Sequence, residues 1–151
     1  MARTAGASQA IQPLRVPGRL RLSRWTPWAD RNDITRSEAP GVYLLGRFRG
    51  PPPARVTALD EHVVYIGETV EQTLRRRWRQ FNRSAFEGTF GHSGGATYRA
   101  CVAKTPRHLY VAALPVTIAE PAASAYIRAV ERLLIWAHVE RYDRFPICNR
   151  K

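Results

Sequence analysis

Lysine is nearly absent from this chain: of 24 basic residues only Lys104 and Lys151 are lysines, and the rest are arginines. Acidic residues number only 12, which leaves a formal charge of +12. Arginine suits bidentate contact with phosphate oxygens, and a small domain this basic points to a polyanion, nucleic acid first. A surface of solvated arginines is the plain alternative. An anionic membrane fits less well, because no basic amphipathic stretch carries a broad Trp/Phe/Leu face. Cysteine is scarce too. Cys101 and Cys148 lie far apart, form no metal-ligand pair and cannot build a disulfide framework, so a reducing cytoplasmic setting is the default. No apolar run approaches the roughly 18 residues of a membrane span. The N-terminus lacks the apolar core of a secretory signal, and no internal repeat is visible.

The 151 residues fit one domain with a real core. Residues 1–18 are small, polar and basic and read as a flexible tail; a transit peptide is the alternative, without apolar periodicity behind it. The domain then covers 19–151, beginning with an extension in which Leu20, Leu22, Trp25 and Trp28 pack onto the rest as far as Pro40. Strands are expected at about 41–47, 62–67 and 109–114. Gly50-Pro51-Pro52-Pro53 cannot pair in a sheet, so the first two strands are joined by a long loop that either touches substrate or is plain surface. Helices are expected at about 71–83 and 121–141, with a Gly/Ser-rich loop through Gly94-Gly95 after the first. The fold class is α/β: a small three-stranded antiparallel sheet flanked by helices, with an extended C-terminal segment around Pro146.

Side chains alternate along strands, so Gly41, Tyr43 and Leu45 share a face, as do Val63, Tyr65 and Gly67. Antiparallel pairing then brings Tyr43 and Tyr65 over one surface, where glycines 41 and 67 leave room for a phosphate backbone; cross-strand packing of two tyrosines is the bland reading. Leu74, Trp78 and Phe81 mark the buried stripe of the first helix, with Arg77 at its edge. Arg75, Arg79 and Arg83, spaced by four, form a stripe that tracks a phosphate backbone or is merely solvated; Arg76 falls between the two groups and is a further nucleic-acid contact of open role. Glu131 lies among Ile127, Leu134 and Ile135 on the long helix, and Arg128 and Arg132 do not share its face. A carboxylate there needs a cation, either a metal or a distant arginine such as Arg77.

In their order, Gly41-Val42-Tyr43, Tyr65-Ile66-Gly67, Leu74-Arg75-Arg76-Arg77-Trp78, Glu131 and Asn149 resemble the GIY-YIG endonucleases, metal-dependent enzymes that cut phosphodiester bonds. The resemblance covers roughly residues 39–149. It implies that Tyr43 activates the attacking water, Tyr65 orients water or phosphate, Arg77 is the catalytic arginine, and Glu131 holds one Mg²⁺ or Mn²⁺. It places Asn149 near the phosphate side, although capping the C-terminal segment is its simpler role. Two departures stand out. The loop between the first strands is long, and Phe81 stands where relatives often have His or Tyr. His92, in a loop comparable to one that carries histidine in homing-type relatives, either covers that role or is incidental. DNA ranks ahead of RNA as substrate on the resemblance alone. A catalytically weak binding module and a subunit of a nucleoprotein complex are the rival readings. Oligomeric state is not legible, but one site cuts one strand, so a double-strand break would require a dimer or two visits.

Overall fold

The computed structural model describes residue 14 and residues 20–150. Apart from residue 14, the tail expected over 1–18 lies outside the described residues. Strands β2 (Gly41–Arg47), β3 (Val63–Thr69) and β4 (Leu109–Pro115) form where β-branched and aromatic residues cluster between turn signals. The sheet is antiparallel but has four strands, not three: β1 (Thr26–Pro27) comes first in the order β1-β4-β2-β3. This additional strand is two residues of the N-terminal extension pairing with Val111 and Tyr110. Proline is tolerated there because β1 is an edge. The extension packs as expected: Trp25 enters the core on one face of the sheet and Trp28 the core on the other.

Helix α1 (Leu74–Asn82) starts later than expected because the Thr73 side chain caps it, accepting from Arg76 N at 3.1 Å. It continues as a π-helical turn at Arg83–Glu87 that ends on Gly88 in the left-handed region. The Gly/Ser-rich stretch is not a loop throughout: Ser93–Cys101 is helix α2, capped by His92. Its two glycines are there for approach. A β-carbon on Gly94 would meet the Tyr65 ring at 2.6 Å, and one on Gly95 would meet the Phe81 carbonyl at 2.8 Å. Helix α3 (Ala122–Tyr142) is the long helix.

Helices cover both faces. On one, Val42, Leu44, Ile66 and Ala112 meet Ile127, Val130, Leu134 and Ile135 of α3. On the other, Tyr43, Leu45, Tyr65 and Val111 meet Leu74, Trp78 and Phe81 of α1 and Tyr98 of α2. The expectation that Val63 shares a face with Tyr65 is corrected by a β-bulge: Leu45 pairs with Tyr65 but Gly46 pairs with Val63, so Val64 is inserted and Val63 turns to the α3 side.

The Pro-rich loop between β2 and β3 docks at the far end of α3. Buried His138 donates from Nδ1 to the Ala58 carbonyl at 2.8 Å, and Tyr142 donates to the Leu59 carbonyl. Its surface reading is the one this geometry favours. Among the described residues no helix is long and apolar enough to cross a membrane.

Candidate active site

Tyr43 and Tyr65 meet as the strand alternation requires, with ring centroids 5.9 Å apart. The spaces left by the glycines are taken by protein, which corrects the expectation of room for phosphate. A β-carbon on Gly67 would strike the Tyr65 ring at 2.5 Å and the Tyr43 hydroxyl at 2.8 Å, and one on Gly41 would strike the Leu114 carbonyl of β4. Glycine at 67 therefore seats the two phenols.

His92 closes over this pair. Its Nε2 lies 3.1 Å from the Tyr43 hydroxyl, while its Nδ1 accepts from Gly95 N at 3.1 Å. A neutral imidazole that accepts at Nδ1 carries its proton on Nε2, so His92 donates to Tyr43. Burial, and then the nearby Arg77 charge, lower the imidazole pKa from 6.5 to about 3, which keeps it neutral. The histidine is held in place by its backbone N, which donates to Ser84 Oγ at 3.0 Å, and by Phe81, whose ring stands nearly perpendicular to it at 5.2 Å. Phe81 thus serves as the wall against which an imidazole from another segment rests.

Tyr43 is fully buried, and desolvation raises its phenol well above the ordinary value; Tyr65 adds to the rise and Arg77 opposes it. Tyr65 keeps 8% of its surface. Its phenol is raised by burial, lowered by Arg77 and raised again by Glu131. Tyr65 thus feels the charges of both the guanidinium and the carboxylate, and it is the less buried of the two phenols.

Arg77 is half-buried and braced. It donates to Gln80 Oε1 at 3.1 Å, and Gln80 and Gln72 exchange a reciprocal pair of amide bonds at 3.0 and 3.1 Å. Its Nε is buried with no partner among the described residues. Arg77 and Arg76 open onto a cleft of about 500 Å³ whose walls also include Glu68, Gln72 and Arg128.

Glu131 occupies the apolar surroundings expected of it, its side chain 14% exposed. Burial raises its carboxyl; Arg132 lowers it and Glu68 raises it further. Arg132 does reach it, Nε to Oε2 at 3.5 Å, contrary to the expectation from helical spacing: a long side chain on a neighbouring face bends around the helix. At that distance, from a side chain 79% exposed, the contact compensates little. Glu68 is the residue that sequence reasoning missed. It shares the α3 side of β3 with Ile66 by strand alternation, and its Oε2 is buried without a partner. A carboxylate at an inward position of an apolar strand was the available signal.

The remaining expected residues fall elsewhere. Asn149 spends its amide on the sheet edge: Oδ1 accepts from Ile66 N at 2.8 Å and Nδ2 donates to Ile66 O at 2.7 Å. It clamps the C-terminal segment to β3. Arg75 leaves the proposed stripe, because its guanidinium binds Ser37 Oγ at 2.7 Å, Asn32 O at 2.6 Å and Glu38 Oε1 at 2.8 Å. The N-terminal extension covers that side of α1. Arg79 and Arg83 stay exposed, and among the described residues neither pairs with a carboxylate.

No family model, curated protein or solved structure matches the chain. The geometry therefore carries the functional reading alone. It clusters Tyr43, Tyr65 and His92 within the range of the Arg77 charge, opens Arg76, Arg77, Arg128 and Glu68 onto one cleft, couples Glu131 by charge to Tyr65 and Glu68, and ties Asn149 to the sheet edge.

Proposed function

We propose that the protein is a metal-dependent endonuclease of the GIY-YIG type, acting on DNA by one-step attack of water on phosphorus. The observation that carries this is the buried cluster of Tyr43, Tyr65 and His92, with the charge of the braced Arg77 acting on all three and that of the largely buried Glu131 acting on Tyr65.

The donor set fits a hard divalent cation. Glu131 and Glu68 repel each other and lack adequate cationic partners, and the orphaned Glu68 oxygen is an acceptor in want of one. Among the described residues no three His, Cys, Asp or Glu side chains form a metal cluster, so two carboxylates would leave the other positions to phosphate oxygens and water, as Mg²⁺ or Mn²⁺ prefer. When bound at Glu131 and Glu68 the cation would supply positive charge beside the scissile phosphate.

The chain's own residues do the rest. Arg77 holds a non-bridging phosphate oxygen and stabilises the charge that grows on it. One proton of the tyrosine pair must first leave for solvent, giving a phenolate that Arg77 and the His92 donor favour against the burial that raises both phenols. That phenolate takes the proton lost by water as the phosphorus–oxygen bond forms, the bond to the leaving oxygen breaks, and that oxygen takes a proton from solvent. Because Tyr43 is closed to water and Tyr65 is not, the two phenols act as one coupled base, with Tyr65 outermost. His92 donates to Tyr43 and so favours negative charge on the pair; with both ring nitrogens engaged it is not the proton acceptor. Arg79 and Arg83 contact the backbone without reading sequence.

The burial of Tyr43 favours one second reading, a binding module that holds nucleic acid and does not cut it. Labelled duplex, branched and single-stranded substrates incubated with Mg²⁺ or with EDTA separate the two. Cleavage that needs Mg²⁺ supports the nuclease, whereas binding with no product under either condition supports the module.

A further inference from the structure

The most exposed large hydrophobic side chain among the described residues is Phe90, at 106% of its reference exposure against 57% or less for the others. Leaving such a ring in water forgoes the free energy of burying it, and the local backbone holds it there. The loop that carries it is pinned at both ends. Gly88 and Thr89 donate to the Arg83 carbonyl, and His92 N donates to Ser84 Oγ. Only Phe90 and Gly91 project between these anchors. Gly88 (φ +72°) and Gly91 (φ +134°) supply the turns that an L side chain rarely adopts, and the space beside Gly91 is open. The ring is therefore presented by a braced tip, two residues from the histidine that backs the tyrosine pair.

Its surroundings decide what it meets. Phe90 stands at a small cleft of about 230 Å³ lined with Thr89, His92, Ser93 and Arg99, and Arg83 lies exposed at the start of the π-helical turn. A protein-binding anchor is normally ringed by further apolar contacts that exclude water. Here an isolated aromatic is ringed by hydroxyls, glycines and cations, which complements a base flanked by phosphates. We infer that Phe90 stacks on a nucleobase displaced from its neighbours beside the site, and so positions the adjoining phosphodiester. This rests on the nucleic-acid reading above but not on cleavage.

The test uses the full-length chain in EDTA with a duplex carrying one 2-aminopurine, scanned through successive positions, and a matched duplex with that base in a bulge. Wild type should raise 2-aminopurine fluorescence at one or two positions, reporting unstacking. Phe90→Ala should abolish that rise and weaken duplex binding about 5- to 100-fold, the loss expected for one aromatic–base stack. Phe90→Trp should retain both, and the bulged duplex should restore most of the affinity of Phe90→Ala. Because Phe90 packs on nothing, an unchanged thermal midpoint is expected in both variants. Equal fluorescence for wild type and Phe90→Ala overturns the inference, whatever happens to affinity. So does a wild-type dimer that dissociates in Phe90→Ala while fluorescence is unchanged, which would assign the ring to a protein contact. Parallel reactions in Mg²⁺ keep the two readings apart: unstacking without cleavage by wild type removes the nuclease and leaves the stack, and cleavage that ignores Phe90 does the reverse.

Discussion

On the α3 face of the sheet, Val42, Leu44 and Ile66 meet Ile127, Val130, Leu134 and Ile135; on the α1 and α2 face, Tyr43 and Tyr65 meet Trp78, Phe81, Tyr98 and His92. Both layers are buried, but their chemistry differs. Aliphatic side chains bring no polar tips that need partners, so most of the first face gains from burial with little to offset it; the exceptions include Trp25 Nε1, His138 Nε2 and Glu68 Oε2, buried without a partner among the described residues. The second face buries hydroxyls and ring nitrogens, each of which costs free energy unless bonded. Some are bonded, such as Tyr43 to His92; others, Tyr98 Oη and Trp78 Nε1, have no partner among the described residues. A fold of this size does not require that arrangement. In the proposed site the second face therefore contributes the phenols and Arg77, while the first holds the sheet together and carries the carboxylates Glu131 and Glu68.

Exchanging the insults between faces gives the largest contrast. Tyr43→Phe and Tyr65→Phe each remove one hydroxyl and should lower the cleavage rate about 10²–10⁴-fold, the usual cost of losing a general base. The double variant should be no slower than the worse single one, because a coupled pair fails as a unit. Ile127→Ala on the other face should cost about 2–5 kcal/mol of stability and leave the rate per folded molecule unchanged. Single-turnover kinetics and urea unfolding on the same preparations read both quantities. Multiplicative losses in the double variant would separate the two tyrosines into independent roles.

Acid should separate the faces next. His92 is neutral in the native state with a pKa of about 3, against an ordinary 6.5. Between those values the unfolded chain binds a proton that the native site refuses. Its contribution to stability is therefore intact above pH 6.5 and is lost progressively as pH falls toward 3, with a slope of at most about 1.4 kcal/mol per pH unit. His138, also lowered by burial, adds to the slope from the α3 side. His92→Gln should flatten the decline between pH 6 and 4 and leave the part due to His138. Parallel unfolding curves for wild type and variant across that range would contradict the assignment of a neutral, desolvated imidazole.

The smallest effects belong to the surface. Arg79→Ala with Arg83→Ala should lower the slope of log affinity against log salt by roughly 0.7–0.9 for each phosphate left without its arginine, on all sequences alike. Arg75→Ala should leave that slope unchanged and loosen the N-terminal extension instead, since its guanidinium holds Ser37, Asn32 and Glu38. If Arg75 moves the salt slope as much as the other two, the stripe is continuous after all.

What the sequence made legible was periodicity. The alternation of β2 and β3 put Tyr43 beside Tyr65, the 74/78/81 spacing found the buried side of α1, and the apolar neighbours of Glu131 marked its odd position. What it hid depends on partners. A bulge at Val64 is a property of the β2–β3 register, so it inverted the placement of Val63. Strand β1 is two residues, one a proline, with no pattern to read. Helix α2 carries in its first turn two glycines that weaken helix propensity and are present because Tyr65 and Phe81 leave no room for a side chain. Arg75 kept its spacing and lost its solvent, because the segment covering it comes from more than 30 residues upstream. Glu68 was hidden by a strand that otherwise reads as core.

The central claim is that the carboxylate of Glu131, coupled by charge to Tyr65 and Glu68, serves phosphodiester cleavage. The direct measurement is cleavage and binding of one labelled duplex, in Mg²⁺, by wild type and by Glu131→Gln. The substitution keeps the shape, removes the charge, and should relieve the burial that now raises the carboxyl. Product from wild type, none from the variant, and unchanged affinity and thermal midpoint are the predicted result. A Glu131→Gln protein that cuts the duplex at the wild-type rate would contradict the account.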